Sequence, residues 1–200
     1  MLPRMASDPN EYVLAGDGSR VTVGGKPVVL TAFPAILVNA VVLSLGKVPD
    51  GDLVQLVDPA WAALLALLER DPEARFRIPA RTLEQVVAAS YEAAGFDEVI
   101  LTPASGDKGR DVIATKKGFF SVRIVDQVKA FRSGNLVTAD DVRALAWALQ
   151  AEHNASKGLV TTTSDFASGI ADEFKLYMPH RLELVNGPRL LDRLAHFAKK

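Results

Sequence analysis

The spacing of hydrophobic and polar positions changes near residue 76 and divides the chain into two parts. Before this point, the segments EYVLA, RVTV and PVVLT are separated by glycine-rich turns, which is typical of β-hairpins. The apolar run at residues 32–45 is compatible with either a buried helix or a strand. The segment that starts at Asp58 predicts an amphipathic helix with Asp58 as its N-cap and Pro59 in its first turn. We therefore expect a smaller α+β N-terminal region at residues 1–75.

From residue 76 onward, helical and extended patterns alternate. TLEQVVAASYEAAG predicts a helix, and DEVILTPA, RDVIATKK and FFSVRIVDQVKAF predict three strands. A helix follows in TADDVRALAWALQAEHNA, with Thr138 as its N-cap and an acidic first turn. KGLVTTTS and RLELVNG predict strands, whereas DFASGIADEFKLY and PRLLDRLAHFAKK predict helices. This order predicts an α/β or α+β domain at residues 76–200, with helices covering a sheet. Trp61 and Trp147 lie on apolar helical faces, where we expect core positions.

Composition narrows the class of protein. A chain of 200 residues with 48% hydrophobic content is long enough to bury a sizeable core. It has no cysteine, which excludes disulfide bonds and zinc sites built from thiolates. The N-terminal residues lack the layout of a signal peptide, and the apolar run is too short to span a bilayer. We therefore expect a cytoplasmic protein that does not enter a membrane.

Charge is unevenly distributed, although the net charge is only −1. Residues 105–132 carry seven lysine or arginine residues against three acidic ones, whereas residues 1–75 are acidic on balance. A local positive surface suits a polyanion such as nucleic acid, but a hairpin with solvated charges explains the same residues. Ser164 could present its hydroxyl and amide to a phosphate, or Ser164 or Asp165 could cap the next helix. The candidate nucleic-acid contacts are Lys108, Arg110, Lys116, Arg132 and Ser164.

Three polar residues near strand ends and one on the preceding helix form a candidate catalytic site. Because strand side chains alternate between faces, two neighbouring strands can bring Asp111, Gln127 and Lys129 to one edge of a sheet. Glu84 lies at the border of the packed face of the preceding helix. Their oxygens suit a hard cation such as Mg²⁺, and a lysine can position or deprotonate water. The set is consistent with metal-assisted phosphodiester hydrolysis, and a buried Asp111–Lys129 ion pair without a catalytic role fits the same residues.

The ordered motifs at residues 76–197 resemble the catalytic domain of Mrr-like restriction endonucleases, in the PD-(D/E)xK nuclease superfamily. They are a helix with an inward glutamate, a glycine-containing acidic turn that ends in aspartate, and a strand that ends in Gln-x-Lys. A Lys-Gly strand that closes on Thr-Thr-Ser and an aromatic residue completes the set. The resemblance implies a restriction-endonuclease-like mixed β-sheet flanked by helices.

The resemblance also implies a role for each candidate residue. It makes Asp111 the metal-binding acid, Lys129 the catalytic lysine and Glu84 the supplementary helix carboxylate. Gln127 stands where many relatives have glutamate, and the backbone carbonyl of Val128 would complete the metal shell. Asp126 lies on the opposite face from Gln127, where we expect it to be exposed or paired with a cation.

These implications predict a Mg²⁺-dependent endonuclease, with Mn²⁺ as a substitute, that cleaves DNA in restriction of, or defence against, foreign or modified DNA. Cleavage of two strands requires two active sites, so we expect a homodimer or a higher homo-oligomer, with residues 32–45 as a candidate interface. Residues 1–75 would recognise the substrate, a protein partner or a second subunit, and their acidic balance favours a protein. The alternatives are a catalytically weak nucleic-acid-binding or assembly module of the same fold, and an RNase or structure-specific nuclease.

Overall fold

A computed structural model describes residues 12–14, 21–23, 26–28, 41–103, 109–151 and 154–198. The chain forms two compact units, residues 1–35 and residues 36–200. In the first unit, three short strands form an antiparallel sheet in the order β1-β2-β3, as its hairpin signals predict. These strands are β1 (Tyr12–Leu14), β2 (Val21–Val23) and β3 (Lys26–Val28).

The second unit is built on a mixed sheet of seven strands. The strands are β4 (Val42–Val48), β5 (Gly51–Leu56), β6 (Glu98–Leu101), β7 (Val112–Lys116), β8 (Val122–Lys129), β10 (Lys157–Thr162) and β12 (Leu182–Val185). Their order across the sheet is β12-β10-β8-β7-β6-β5-β4. Strand β10 runs parallel to both of its neighbours, whereas the strands from β4 to β8 pair antiparallel.

Helices accompany this sheet and complete the α/β fold that the sequence predicts. A small parallel pair, β9 (Leu136–Val137) and β11 (Asp165–Phe166), lies outside the main sheet. The helices are α1 (Asp58–Arg70), a 3₁₀ segment (Pro72–Arg77), α2 (Ala80–Ala93), α3 (Ala139–Ala151), α4 (Ile170–Glu173) and α5 (Gly187–Ala198).

The two faces of the sheet bury different helices, because successive side chains of a strand point to opposite sides. On one face, Val125 and Val160 pack with Val142 and Leu145 of α3 in a hydrophobic cluster. Helices α2 and α5 pack against each other, and α2 contacts β5, β6, β7 and β8. The next residue of β8, Asp126, therefore faces away from α3.

Residues 36–75 are part of the second unit. Strand β5 pairs with β6 through Asp52–Leu101 and Leu53–Ile100, and β4 extends the same sheet at its edge. Gly51 is needed where β5 begins, because a Cβ there would lie 2.1 Å from the Leu101 carbonyl oxygen. The division near residue 35 thus differs from the predicted boundary near residue 76.

The apolar run at residues 32–45 lies mostly outside the described residues. Its last residues extend into β4, an edge strand. Val41, just before β4, is buried, whereas Leu43 and Leu45 within it are exposed. Its proposed role as an interface stays a prediction. Within the described ranges, none of the helices combines the length and apolarity needed to cross a bilayer.

Three local predictions are wrong. Asp58 is the first residue of α1 rather than its cap, and Val57 is the capping residue, without a side-chain hydrogen bond. The helix predicted from Asp165 shrinks to the four residues of α4, because Asp165 and Phe166 pair as β11 and Gly169 adopts a left-handed φ of 85°. Trp61 is buried in the core, but Trp147 is 70% exposed.

Candidate active site

The candidate site lies at the edge of the main sheet where β6 ends, β7 begins and β8 ends. Val112 pairs with Asp126, so the antiparallel register places Asp111 beside Gln127. The Asp111 amide donates to the Asp126 carbonyl at 3.0 Å, and the Thr102 amide donates to the Asp111 carbonyl at 3.1 Å. Backbone hydrogen bonds from two neighbouring strands therefore fix the position of Asp111.

The Asp111 carboxylate lies directly against the end of β8. Its Oδ2 accepts a hydrogen bond of 2.6 Å from the Val128 amide. The side chain thereby takes an acceptor position that a backbone carbonyl would fill in a continued ladder. Asp111 therefore lies beside Gln127 and Val128 at one edge of the sheet.

Lys129, the last residue of β8, is held from the side of α3. Its Nζ lies 3.3 Å from Oδ1 of Asp141, and the Lys129 side chain is 25% exposed. With the Gln127 amide oriented to satisfy both of its ends, its oxygen accepts from Lys129 Nζ at 3.3 Å and its nitrogen donates to the Asp141 carbonyl at 3.1 Å. The ammonium therefore has two oxygen neighbours.

Threonines of β10 and the loop after it anchor the backbone around Lys129. Thr162 Oγ1 donates to the Lys129 carbonyl at 2.8 Å, and the Thr163 amide donates to the same oxygen at 3.3 Å. Thr163 Oγ1 also accepts from the Phe131 amide at 2.9 Å and donates to the Phe131 carbonyl at 2.7 Å. The Thr-Thr-Ser motif thus contributes to the site by fixing the chain that carries the lysine.

Asp141 is the residue of the site that the sequence analysis does not identify. It lies in the first turn of α3, where its Oδ2 accepts from the Thr138 amide at 3.0 Å and from Thr138 Oγ1 at 2.8 Å. Burial raises its pKa, but the hydrogen bonds from Thr138 and the charge of Lys129 outweigh that effect and hold the pKa below its ordinary value. The Thr-x-x-Asp spacing is visible in the sequence and indicates the helix cap, but it does not indicate the ion pair.

Glu84 reaches the region from α2. Its Oε2 lies 2.5 Å from Nη1 of Arg81, one turn earlier on the helix. The same Arg81 nitrogen donates to the Thr102 carbonyl at 2.9 Å. Because the Thr102 amide binds Asp111, this arginine connects Glu84 to the strand edge that carries the site.

The atoms near this edge that could bind a metal ion are oxygens. In the described part of the chain, no three His, Asp or Glu side chains converge as a metal site. The two carboxylates Asp111 and Glu84, the Gln127 amide and the Val128 carbonyl nevertheless have the chemistry that a hard divalent cation prefers. The donor set fits such an ion in kind, provided that Glu84 turns from Arg81 and Gln127 turns from Lys129.

The predicted nucleic-acid contacts differ in their surroundings. Arg110 is mostly buried and lies 4.0 Å from Asp50, and Lys116 binds the Gly95 carbonyl and pairs with Asp97. Arg132 is exposed beyond the end of β8, whereas Ser164 is buried. The Ser164 carbonyl accepts from the Gly187 amide, and neither Ser164 nor Asp165 caps α4, whose capping residue is Gly169. Lys108 lies outside the described residues.

Asp126 differs from its prediction because it is buried, and no cation in the described part of the chain forms an ion pair with it. It is 1% exposed, and its Oδ2 accepts from the Tyr91 hydroxyl at 2.9 Å and from Thr161 Oγ1 at 3.0 Å. Burial raises the pKa of Asp126 to about 6, although these two hydroxyl hydrogen bonds oppose the shift. Burial and the neighbouring Asp126 also raise the pKa of Tyr91. Two hydroxyl groups take the place of the expected cation.

Comparison with known families gives the site its context. Residues 76–194 match the Mrr_cat family, described as Restriction endonuclease, and this match covers more than half of the chain. The chain belongs to the Mrr-like restriction endonuclease family. The matched region contains every element of the candidate site, from Glu84 on α2 to Ser164.

The individual proteins that resemble this chain share a third of its residues or fewer in the aligned regions. The uncharacterized protein y4cE of Sinorhizobium fredii is 32% identical over 124 residues, which are 61% of this chain and 31% of that protein. The restriction endonuclease MspJI, solved in complex with a 27-mer oligonucleotide, has 17% identity and a TM-score of 0.43 over 73% of this chain and 35% of its own. The DNA modification-dependent restriction endonuclease AspBHI has 16% identity and a TM-score of 0.46, over 88% and 41%. The chain therefore spans about a third of the curated relative and less than half of each solved structure.

Proposed function

We propose that this protein is a metal-dependent endonuclease that hydrolyses phosphodiester bonds of DNA. One observation carries the proposal: Asp111 and Lys129 occupy the same sheet edge, within a region that matches a restriction endonuclease family. Mg²⁺ is the proposed ion, with Mn²⁺ as a substitute, and restriction of foreign or modified DNA is the proposed role.

The residues divide the chemistry between them. Asp111, Glu84, the Gln127 amide oxygen and the Val128 carbonyl would hold the ion, which supplies Lewis-acid stabilisation and an acidified water when bound. The Val128 amide restrains the Asp111 carboxylate and so orients its remaining oxygen. Lys129 provides an ammonium that stabilises the charge developing on the phosphate or orients the attacking water.

The DNA-binding surface is proposed around the same edge. Arg132, exposed three residues beyond Lys129, and Lys108, three residues before Asp111 in the sequence, would contact backbone phosphates. Arg110, Lys116 and Ser164 have intramolecular partners, so any DNA contact of theirs competes with those bonds. Double-strand cleavage would require a homodimer or a higher homo-oligomer. Residues 1–75 remain the proposed region for recognition of a partner or of a second subunit.

Removal of divalent metal is expected to abolish cleavage. Supercoiled plasmid would be incubated with the protein and Mg²⁺ or Mn²⁺, and nicked and linear products would be followed on gels against an EDTA control. Modified and unmodified plasmid would be tested in parallel, and RNA and branched DNA would identify an RNase or a junction nuclease. Restored cutting after metal is returned to the chelated sample would show that the loss is reversible.

Failure of this experiment has a defined meaning. Binding of DNA in gel shifts without cutting in any metal would reject the endonuclease in favour of a binding or assembly module. Cutting that continues in EDTA would reject the metal dependence and leave the roles proposed for Asp111 and Glu84 without support.

A further inference from the structure

We propose that Asp141 is a positioning residue for the catalytic lysine and supplies the negative charge that Gln127 does not carry. The inference rests on the proposed nuclease function and concerns the same site. It begins with the ion pair between Lys129 Nζ and Asp141 Oδ1, at 3.3 Å. Both side chains are about three-quarters buried, so the pair is less screened by solvent than a surface salt bridge.

The two oxygens of Asp141 have separate tasks. Oδ2 accepts two hydrogen bonds from Thr138, the capping residue of α3. This anchors the carboxylate to the start of the helix and directs Oδ1 toward Lys129. A helix cap alone needs only one of these oxygens, and the other is available to hold the ammonium.

Gln127 connects the same two residues a second time. In the amide orientation that satisfies both of its ends, its nitrogen donates to the Asp141 carbonyl and its oxygen accepts from Lys129 Nζ. Lys129, Gln127 and Asp141 therefore form a closed triangle between β8 and α3. Because an amide brings no charge, the carboxylate of Asp141 is the anionic member of this triangle and offsets the lysine charge when no substrate is present.

Replacement of Asp141 by asparagine separates the charge from the helix cap. Asparagine retains an oxygen that can accept from Thr138, but it cannot form the ion pair. We expect kcat for plasmid cleavage to fall about 10- to 100-fold, as for other residues that orient catalytic groups. The KM for DNA and the melting temperature are expected to stay close to wild type. In the metal-free protein, the ¹⁵N–¹H signal of the Lys129 ammonium should broaden beyond detection.

Two variants serve as controls. Asp140→Asn removes the neighbouring acid of the same helical turn, which is 89% exposed and pairs with Arg143, so it should retain full activity. Thr138→Ala removes the capping hydroxyl but keeps the Asp141 carboxylate and its hydrogen bond from the backbone amide of residue 138. It should therefore lower the melting temperature, while its kcat falls less than that of Asp141→Asn. If Asp141 acted in folding alone, Asp141→Asn would lower the melting temperature and leave kcat unchanged.

A double-mutant cycle completes the test. If Asp141 acts through the lysine, Lys129→Met and Asp141→Asn combined should cleave no more slowly than Lys129→Met alone. Wild-type kcat in Asp141→Asn, or a loss that adds fully to that of Lys129→Met, would overturn the proposal. Absence of cleavage by the wild-type protein would instead reject the proposed function, and an unchanged Lys129 ammonium signal in Asp141→Asn would still reject the positioning role.

Discussion

Replacement of Lys129 by methionine is expected to lower the rate of DNA cleavage roughly 10³-fold, with DNA affinity nearly unchanged. Methionine has a similar length but no charge, so it removes the only part of the side chain that can stabilise the reacting phosphate or orient water. Single-turnover cleavage of a labelled duplex would measure the chemical step, and gel shifts would measure binding.

The fold should tolerate this change. Lys129 contacts Asp141 and Gln127 through its ammonium, whereas Thr162 and Thr163 hold its backbone carbonyl and are unaffected by the substitution. After the ammonium is removed, the Asp141 carboxylate keeps its two hydrogen bonds from Thr138. Circular dichroism and thermal melting should therefore resemble those of the wild type.

Lys157 provides a matched control on the neighbouring strand β10. Its side chain is 24% exposed and pairs with Glu183, compared with 25% exposure and a pair with Asp141 for Lys129. Lys157 lies beside Ile124, at the other end of the β8–β10 pairing. Lys157→Met should therefore retain cleavage. Equal rates for the two variants, or a Lys129→Met protein as active as wild type, would remove Lys129 from the mechanism.

The sequence predicts the strand faces of the site well because alternation is a local property of the backbone. The positions of Asp111 and Gln127 depend only on two adjacent strands joined by a short hairpin. The pairing of Lys129 with Asp141 depends on how α3 packs across β8 and β10, which is a tertiary property. The sequence therefore predicts the helix cap formed by Thr138 and Asp141, but it does not predict the ion pair of Asp141 with Lys129.

Whether a side chain is buried in the core is harder to predict from the sequence than the strand or helix face on which it lies. Alternation places Asp126 opposite Gln127, but only the packing of α2 and β10 shows that Tyr91 and Thr161 meet it there. Trp147 is the opposite case. It lies on an apolar helical pattern, but it is exposed, because no element covers that side of α3 among the described residues. Contributions of β4 and β5 to the main sheet were likewise missed, because strand pairing across residues 52–101 leaves no local signal.

Replacement of Asp126 by asparagine is expected to change how stability depends on pH. The pKa of Asp126 is raised by burial from 3.8 to about 6 in the folded protein. Between these values the folded state binds more protons than the unfolded state, so the free energy of unfolding falls as pH rises. Asparagine has no ionised form and removes this contribution.

The expected size is large for a single side chain. A shift of about two pKa units corresponds to roughly 3 kcal/mol, lost by the wild type between about pH 4 and about pH 6 and absent from Asp126→Asn. Urea unfolding at a series of pH values would measure the difference between the two proteins. The pKa of other carboxylates, such as those of Asp52, Asp97 and Glu183, is lowered in the folded protein. Their contribution to the free energy of unfolding is lost at more acidic pH, and it is lost in both proteins.

Tyr91→Phe tests the cause of the shift. The tyrosine hydroxyl donates to Asp126 and opposes the effect of burial, so its removal should raise the pKa of Asp126 further and extend the loss of stability to higher pH. Asp126→Asn combined with Tyr91→Phe should again show no such dependence in this range. Parallel curves for wild type and Asp126→Asn would mean that the carboxyl ionises at an ordinary pH, and that water or a rearranged side chain solvates it in the folded protein.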